Sequence, residues 1–316
     1  MRDLRSFSRL LRFLLYRDDW NIGVIAQPAE AIVANGVCQQ VRWLPRPQSR
    51  TMFADPSALI EQNGSLTLFA EFLDYRHDVG EIWSAAIAMG DDPAEAVLRP
   101  LLSMPTHMSY PFPFRDDTGR ICLTAETWQA GNALLWVREA GTWRNQGPLF
   151  SGRPVVDPTL WRGTDRWWLF CGFADDAPND RLHLFHTTRL GQEWTPHPGN
   201  PVKQDRRSSR GAGPLFEANG KLIRPAQDCS STYGGAITLN AISELTPERF
   251  AEEVVQQLDP IPGEYPDGLH TICPAGPMTF VDGKRLRLDL VGVLPRLRAL
   301  LRQRAPRAVQ RKPSVH

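Results

Sequence analysis

The stretch that decides the fold runs Phe53-Ala54-Asp55-Pro56-Ser57-Ala58-Leu59-Ile60-Glu61-Gln62-Asn63-Gly64-Ser65-Leu66-Thr67-Leu68-Phe69-Ala70-Glu71. It reads as a β-hairpin: an apolar run from Asp55-Pro56, a turn at Asn63-Gly64, and a return through Leu66 to Glu71. Asn-Gly between two apolar runs tolerates the positive φ angles that a tight hairpin turn demands. Antiparallel pairing brings the start and end of a hairpin to one edge. Asp55 and Glu71 are therefore predicted to share a rim.

The same pattern recurs downstream. Tyr110-Pro111 is followed by Gly119 at the offset that separates Pro56 from Gly64. Asp157-Pro158 leads to a turn at Gly163-Thr164-Asp165 and a strand at Trp167-Trp168-Leu169-Phe170. Gly211-Ala212-Gly213-Pro214 leads to Asn219-Gly220, and Pro274-Ala275-Gly276-Pro277 to Asp282-Gly283 with a strand from Arg285 to Leu288. With Pro56, Pro111, Pro158, Ala212 and Ala275 as equivalent positions, the spacings are 55, 47, 54 and 63 residues. Further strand candidates fill the intervals, among them Glu81–Ile87, Ala133–Val137, Leu182–Thr187 and Gly235–Leu239. Units of three or four strands repeating about every fifty residues are how a β-propeller looks in sequence. The prediction is an all-β fold, a five-bladed β-propeller. Either the strand before Pro28 or a C-terminal segment closes the ring, and this pattern does not choose between them. Ten tryptophans suit the packing between blades.

Composition sets the limits. The chain has 316 residues, 42% of them hydrophobic, enough for a large core. No apolar run approaches the ~18 residues of a membrane span. Leu4, Phe7, Leu11, Leu14 and Leu15 fall at helical spacing among arginines, which predicts a short basic amphipathic helix over 4–16. The expected organisation is that helix in 1–19, a propeller over 20–290, and a basic, partly disordered tail over 291–316 with a short helix after Pro295. Residues 1–17 hold five arginines and one acid, and 284–316 hold ten Lys/Arg and only Asp289. The body between them carries a net charge of −12, which argues against a nucleic-acid-binding core. Five widely spaced cysteines with no Cys-x-x-Cys predict reduced thiols of a cytoplasmic chain and no structural zinc. P-loop, His-Glu-x-x-His and Gly-x-Ser-x-Gly patterns are absent. The acidic run Asp175–Asp180 lacks the spacing of an EF-hand and reads as a solvated turn.

The hairpin logic locates a candidate site. In a propeller the innermost strands surround one axial channel, and their starts lie at one end of it. The starts are Asp55, Tyr110, Asp157, Gly211 and Pro274. Fifteen residues after each reference position come Glu71, Glu126, Phe173, Gln227 and Leu290. Asp55, Glu71, Tyr110, Glu126, Asp157, Gln227 and Asp228 are thus expected to converge on one funnel. His107, Arg210 and His270 lie just before three of the starts. Acids, an amide, an aromatic, an arginine and histidines are a carbohydrate-binding mixture, because sugars offer hydroxyls to polar groups and C–H faces to rings.

These residues resemble the five-bladed propellers of the arabinanase, levansucrase and invertase superfamily, including glycoside hydrolase family 43. The resemblance implies a general base at Asp55, an acid-tuning carboxylate at Asp157, and a general-acid glutamate where this chain has Ala212. More closely, residues 20–290 resemble the propeller domain N-terminal to the transferase domain of plant glucosamine inositolphosphorylceramide transferases, a domain also found in bacterial proteins beside sugar formyltransferase-like domains. Phe53-Ala54-Asp55-Pro56, His107-Met108-Ser109-Tyr110-Pro111-Phe112, Asp157-Pro158-Thr159-Leu160, Trp167-Trp168-Leu169-Phe170, Arg224-Pro225-Ala226-Gln227-Asp228-Cys229-Ser230 and Gly268-Leu269-His270-Thr271 carry it. What it implies is carbohydrate recognition in glycan or glycolipid biosynthesis, with a saccharide, glycolipid or sugar nucleotide in the funnel and no cofactor. One alternative is an inverting glycosidase with Asp55 as base and Glu126 or Glu71 as a relocated acid. Another is a non-catalytic scaffold docking to a membrane or to a glycosyltransferase partner; a formyltransferase is a further possible partner. The setting implied is a bacterial cytoplasm, with the basic ends touching the inner membrane.

Overall fold

The computed structural model describes residues 11–46 and 48–304. Its strands form five sheets, each a blade built from the channel outward. Blade one comprises Thr51–Ile60, Leu66–Asp74, Val79–Ile87 and Arg99–Leu102. Blade two comprises Ser109–Arg115, Ile121–Thr127, Asn132–Glu139 and Thr142–Ser151. Blade three runs Val155–Arg162, Trp167–Phe173 and Arg181–Thr187, with the short Thr195–Pro196 and Lys203–Gln204 both paired to the last of these. Blade four runs Phe216–Ala218, Lys221–Asp228, Ala236–Leu245 and Phe250–Leu258.

Blade five settles the ring closure. Its inner strands are Ile272–Ala275 and Met278–Leu288, and its outer strands are Tyr16–Ile25 and Val41–Trp43 from the other end of the chain. The N-terminal strand before Pro28 and the C-terminal segment thus close the ring together. Pairing the two ends makes unzipping cost the contacts of a whole blade.

The core lies between blades rather than within one layer. Phe112, Phe114 and Val137 of blade two pack with Leu160, Trp167 and Leu169 of blade three. Leu68, Ala70 and Ala85 of blade one pack with Ile22, Cys273 and Phe280 of blade five. Ile223, Ile237 and Leu239 meet Ile25, Ile272 and Val281 between blades four and five. The middle strands are buried on both faces, so they read as near-continuous apolar runs such as Trp167–Phe173. All five cysteines are unpaired, four of them buried and Cys38 exposed.

Two compact units are distinguishable, one over Trp20–Arg285 and one joining Met1–Asp19 with Leu286–His316. In the second, residues 11–15 are helical and Tyr16 already opens a strand, so the expected helix over 4–16 ends one residue early. Its beginning lies outside the described residues. A helix spans Val293–Arg304, with Pro295 in its first turn where the missing N–H costs nothing. Residues 305–316 of the expected tail lie outside the described residues. No helix among the described residues is long and apolar enough to cross a membrane.

One register expectation is corrected. Asp282-Gly283 is not the hairpin turn of blade five. The turn is Gly276-Pro277, with Gly276 at φ 66°, and the second strand runs straight through Asp282 and Gly283. Gly283 has a packing reason: a Cβ there would meet Trp43 at 2.3 Å and Tyr265 at 2.8 Å. The fifth hairpin is shorter than the others, and counting fifteen residues overshoots to Leu290, which is exposed. In blade three the residue aligned with Glu71 and Glu126 is Gly172, one before Phe173.

Candidate functional site

Three blades share an irregularity at the channel. The ladder of the inner hairpin skips between Ala54 and Ser57, between Ser109 and Phe112, and between Val156 and Thr159. Each skip is a β-bulge holding an X-Pro pair. Its first residue is left-handed: Asp55 at φ 52°, Tyr110 at 47° and Asp157 at 50°. Such a conformation costs about 1–3 kcal/mol for a non-glycine residue and persists only where its surroundings enforce it. Proline has no N–H, and the bulge takes the preceding N–H out of its own ladder. That buried donor needs a partner.

The partners are carboxylates of the preceding blade. The Asp55 N–H donates to Asp282 Oδ2 (3.1 Å), the Tyr110 N–H to Asp55 Oδ2 (3.1 Å), and the Asp157 N–H to Glu126 Oε2 (3.0 Å). The acids at the channel therefore staple blade five to one, one to two, and two to three. Asp282 is the hub. Besides Asp55 it accepts the backbone N–H groups of His270 (3.0 Å) and Thr271 (2.9 Å) on Oδ1, and His270 Nδ1 lies 2.5 Å from its Oδ2. The hydroxyl of Thr271 donates to Asp55 Oδ1 (3.1 Å), and His270 Nε2 sits 3.6 Å from the same oxygen. The imidazole stacks on Trp20 with centroids 3.9 Å apart and meets Tyr233 edge-on.

Blades three and four join through Arg210. Its guanidinium lies 2.9 Å from Asp157 Oδ2, donates to Asn179 Oδ1, and covers the Tyr233 ring at 4.9 Å. Gln227 Nε2 donates to the Gly211 carbonyl. Gly211 leaves room here, since a Cβ would stand 3.1 Å from that of Asp157 and 3.3 Å from the Tyr110 hydroxyl.

Burial sets the protonation. Burial pushes Glu126 up to about 8, with the Asp157 carboxylate adding and Arg210 subtracting. Glu71 is raised well above the usual range, first by burial and then by Asp55 and Glu126. Asp55 is raised by burial despite His270. For His270 burial pulls down, but Asp282 and Asp55 outweigh it and the imidazole is raised. Burial lowers His107, whose Nδ1 accepts the Gly80 N–H and whose Nε2 faces Glu71 Oε1 at 3.4 Å. Carboxyl groups raised by burial, Glu126 to about 8, are thus tied to an imidazole and a guanidinium.

Of the expected residues, Asp55, Glu71, Glu126, Asp157, His107, Arg210, Gln227 and His270 belong to this connected floor. Tyr110 has its ring in the apolar cluster between blades two and three, and its hydroxyl bonds Thr159 Oγ1 (2.8 Å) and accepts the Gly213 N–H (2.9 Å). Asp228 accepts the Ser230 N–H in a local turn. Ala212 is buried in the cluster between blades four and five, its carbonyl accepting the Ile272 N–H. The acidic turn is neutralised: Asp175 pairs with Arg153, Asp176 with Arg181 and His183, and Asp180 with Arg206. Sequence reasoning missed Asp282. The signal was there in the 63-residue final spacing, out of line with the other three.

Ligand atoms of Asp55, His270 and Asp282 lie within 4.8 Å of one another, a set that could hold a cation. His270 Nδ1 and Asp282 Oδ2 are at direct hydrogen-bonding distance, however, and Asp282 already takes three backbone N–H groups. The set fits a hydrogen-bonded triad better than a metal centre.

Among solved structures the chain is similar to an α-L-arabinofuranosidase from Podospora anserina in complex with cellotriose (12% identity, TM-score 0.53, 76% of this chain and 93% of that one). It is also similar to an exo-β-1,3-galactanase from Clostridium thermocellum (9% identity, TM-score 0.52, 72% and 58%). At these identities the likeness shows the fold alone. In sequence it is 31% identical over 153 residues to glucosamine inositolphosphorylceramide transferase 1 of Oryza sativa subsp. japonica, and 29% over 154 residues to that of Arabidopsis thaliana. Each match covers 46% of this chain and 20% of the relative's length. These relatives are plant proteins, which gives the expected bacterial, cytoplasmic setting no support. Residues 20–260 match the family described as glucosamine inositolphosphorylceramide transferase 1, N-terminal, and with three quarters of its length so matched the chain belongs to that family.

Proposed function

We propose that this glycan-related propeller recognises a saccharide at the channel floor. The observation carrying the reading is the convergence of Asp55, Glu71, Glu126, Asp157, Arg210, His270 and Asp282 on one buried polar cluster, two hydrogen-bonded groups whose charges influence each other. Convergent polar groups at the end of a propeller channel suit a ligand rich in hydroxyls. Five carboxyl groups against one arginine and one histidine favour a sugar bearing an amine, which can take up the proton that a carboxyl raised by burial holds and pair with it, over one bearing a phosphate or carboxylate. That preference accords with the glucosamine in the relatives' names. The test is calorimetric titration with saccharides ending in glucosamine, N-acetylglucosamine and glucose. Binding is expected for the first, at least tenfold weaker binding for the other two, and loss of binding in Glu71→Gln. Equal affinity for all three, or none for any, sinks the reading.

A second reading rests on Glu126. Held near pH 8 it carries a proton at neutral pH, as the acid of an inverting glycosidase must, with Asp55 as base. Ala212 supplies no acid. Asp55 already accepts from Tyr110 and Thr271, which favours binding over turnover. Hydrolysis of a glycoside by the wild type, lost in both Asp55→Asn and Glu126→Gln, would reverse that order.

A further inference from the structure

The unit built from the two ends of the chain is turned inside out. In the helix Val293–Arg304, Arg296 is half-buried. Its guanidinium donates to Asp289 Oδ2 (2.7 Å) and to the carbonyl oxygens of Phe13, Tyr16 and Asp289. Two leucines beside it are exposed instead: Leu294 at 63% and Leu297 at 40%. Leu288, Leu290 and Val291, just before the helix, are exposed at 59%, 66% and 73%. Leu11, Phe13 and Tyr16, beside the partners of Arg296, are exposed too. Eight of the thirteen exposed large hydrophobics among the described residues thus fall in this small unit. Scattered exposed leucines need no explanation, whereas a cluster held out by an anchored arginine does.

Charge identifies what covers it. Residues 1–19 and 286–316 carry thirteen Lys/Arg against four Asp and no Glu. The other unit, 20–285, has an excess of eight acids. Arg12 and Arg298 are exposed among the leucines. Apolar side chains flanked by solvent-facing arginines match an interface where acyl chains meet anionic headgroups. A protein partner of ordinary composition would not require this excess of positive charge.

We propose that this unit docks peripherally on an anionic lipid surface, inserting Leu290, Leu294 and Leu297 and setting Arg12 and Arg298 at the headgroups. The contact is independent of the saccharide reading and shares no residue with it.

The test is co-sedimentation of the full chain with vesicles of phosphatidylcholine alone or with 30% phosphatidylserine (about that fraction suffices to set a negative surface potential). Partition onto the anionic vesicles is expected to exceed that onto neutral ones by at least about tenfold, and to fall by a similar factor when salt is raised from about 0.1 to 0.5 M. The triple variant Leu290→Ser/Leu294→Ser/Leu297→Ser is expected to lose about tenfold or more with an unchanged circular dichroism spectrum, since these side chains are largely exposed and their replacement removes little packing. Equal partition onto both vesicles would overturn the proposal. So would a triple variant that binds like the wild type, which would leave the attraction to charge alone. A wild-type dimer in light scattering that the triple variant converts to monomer would assign the face to a second copy of the chain instead.

Discussion

Replacing Glu126 by glutamine should change how stability depends on pH. In the folded chain Glu126 titrates near 8, against 4.5 for an ordinary glutamate, because burial and the Asp157 carboxylate oppose its charge. The folded value lies above the unfolded one. The stability tied to its proton is therefore complete below about pH 4.5 and is lost as pH rises through about 8. The gap corresponds to about 5 kcal/mol at about 1.36 kcal/mol per pH unit. About 1 kcal/mol of this is gone by pH 5 and about 4 to 5 kcal/mol by pH 8.5. Glutamine keeps an oxygen for the Asp157 N–H and has no proton to lose. Urea unfolding of wild type and Glu126→Gln at the two pH values measures the effect. The variant is expected to gain about 3 to 4 kcal/mol relative to wild type between pH 5 and 8.5, or roughly 10 °C in melting temperature for a chain of this size. Parallel profiles, diverging by less than about 1 kcal/mol over that range, would refute the assignment of a desolvated, protonated Glu126.

Asp282→Ala strips the acceptor from three backbone N–H groups and from His270, and should cost about 4 to 6 kcal/mol, with Asp282→Asn costing about half. Thermal melts that place the alanine variant within about 1 kcal/mol of wild type would contradict the hub role. Gly213 is at φ 114°, and a Cβ there would stand 2.1 Å from the Ile272 carbonyl oxygen. Gly213→Ala should therefore lower the melting temperature by more than about 6 °C. Gly191→Ala, at a comparable φ of 85° with nothing nearby, should lower it by about half that or less, and equal losses would show that backbone strain alone accounts for both.

The site has a structural side that its acids make plain. Asp55, Glu126 and Asp282 each hold a backbone N–H displaced by, or adjoining, an X-Pro bulge of the next blade. On the proposed reading, saccharide recognition would fall to residues the ring also uses to stay closed. Substitution there has to be read with a folding control beside every binding measurement.

Local pattern determined much of this protein by itself. Asn63-Gly64 and its counterparts set the hairpins, their period gave five blades, and hairpin geometry put Asp55 with Glu71 and Tyr110 with Glu126 near one channel. These inferences need only contacts close in sequence. Tertiary structure decided the rest. Asp282-Gly283 has the composition of a turn, and only Trp43, 240 residues away in blade five, shows that Gly283 is a packing position in mid-strand. The left-handed bulges at Asp55, Tyr110 and Asp157 are tolerated because a carboxylate from a neighbouring blade waits for each freed N–H, and no local signal announces that partner. Closure by Tyr16–Ile25 pairing with Met278–Leu288 is likewise a meeting of chain ends, which residue pattern alone left open. Protonation belongs to the same class: a glutamate is ordinary in sequence and becomes a proton holder near pH 8 only when the fold removes its water.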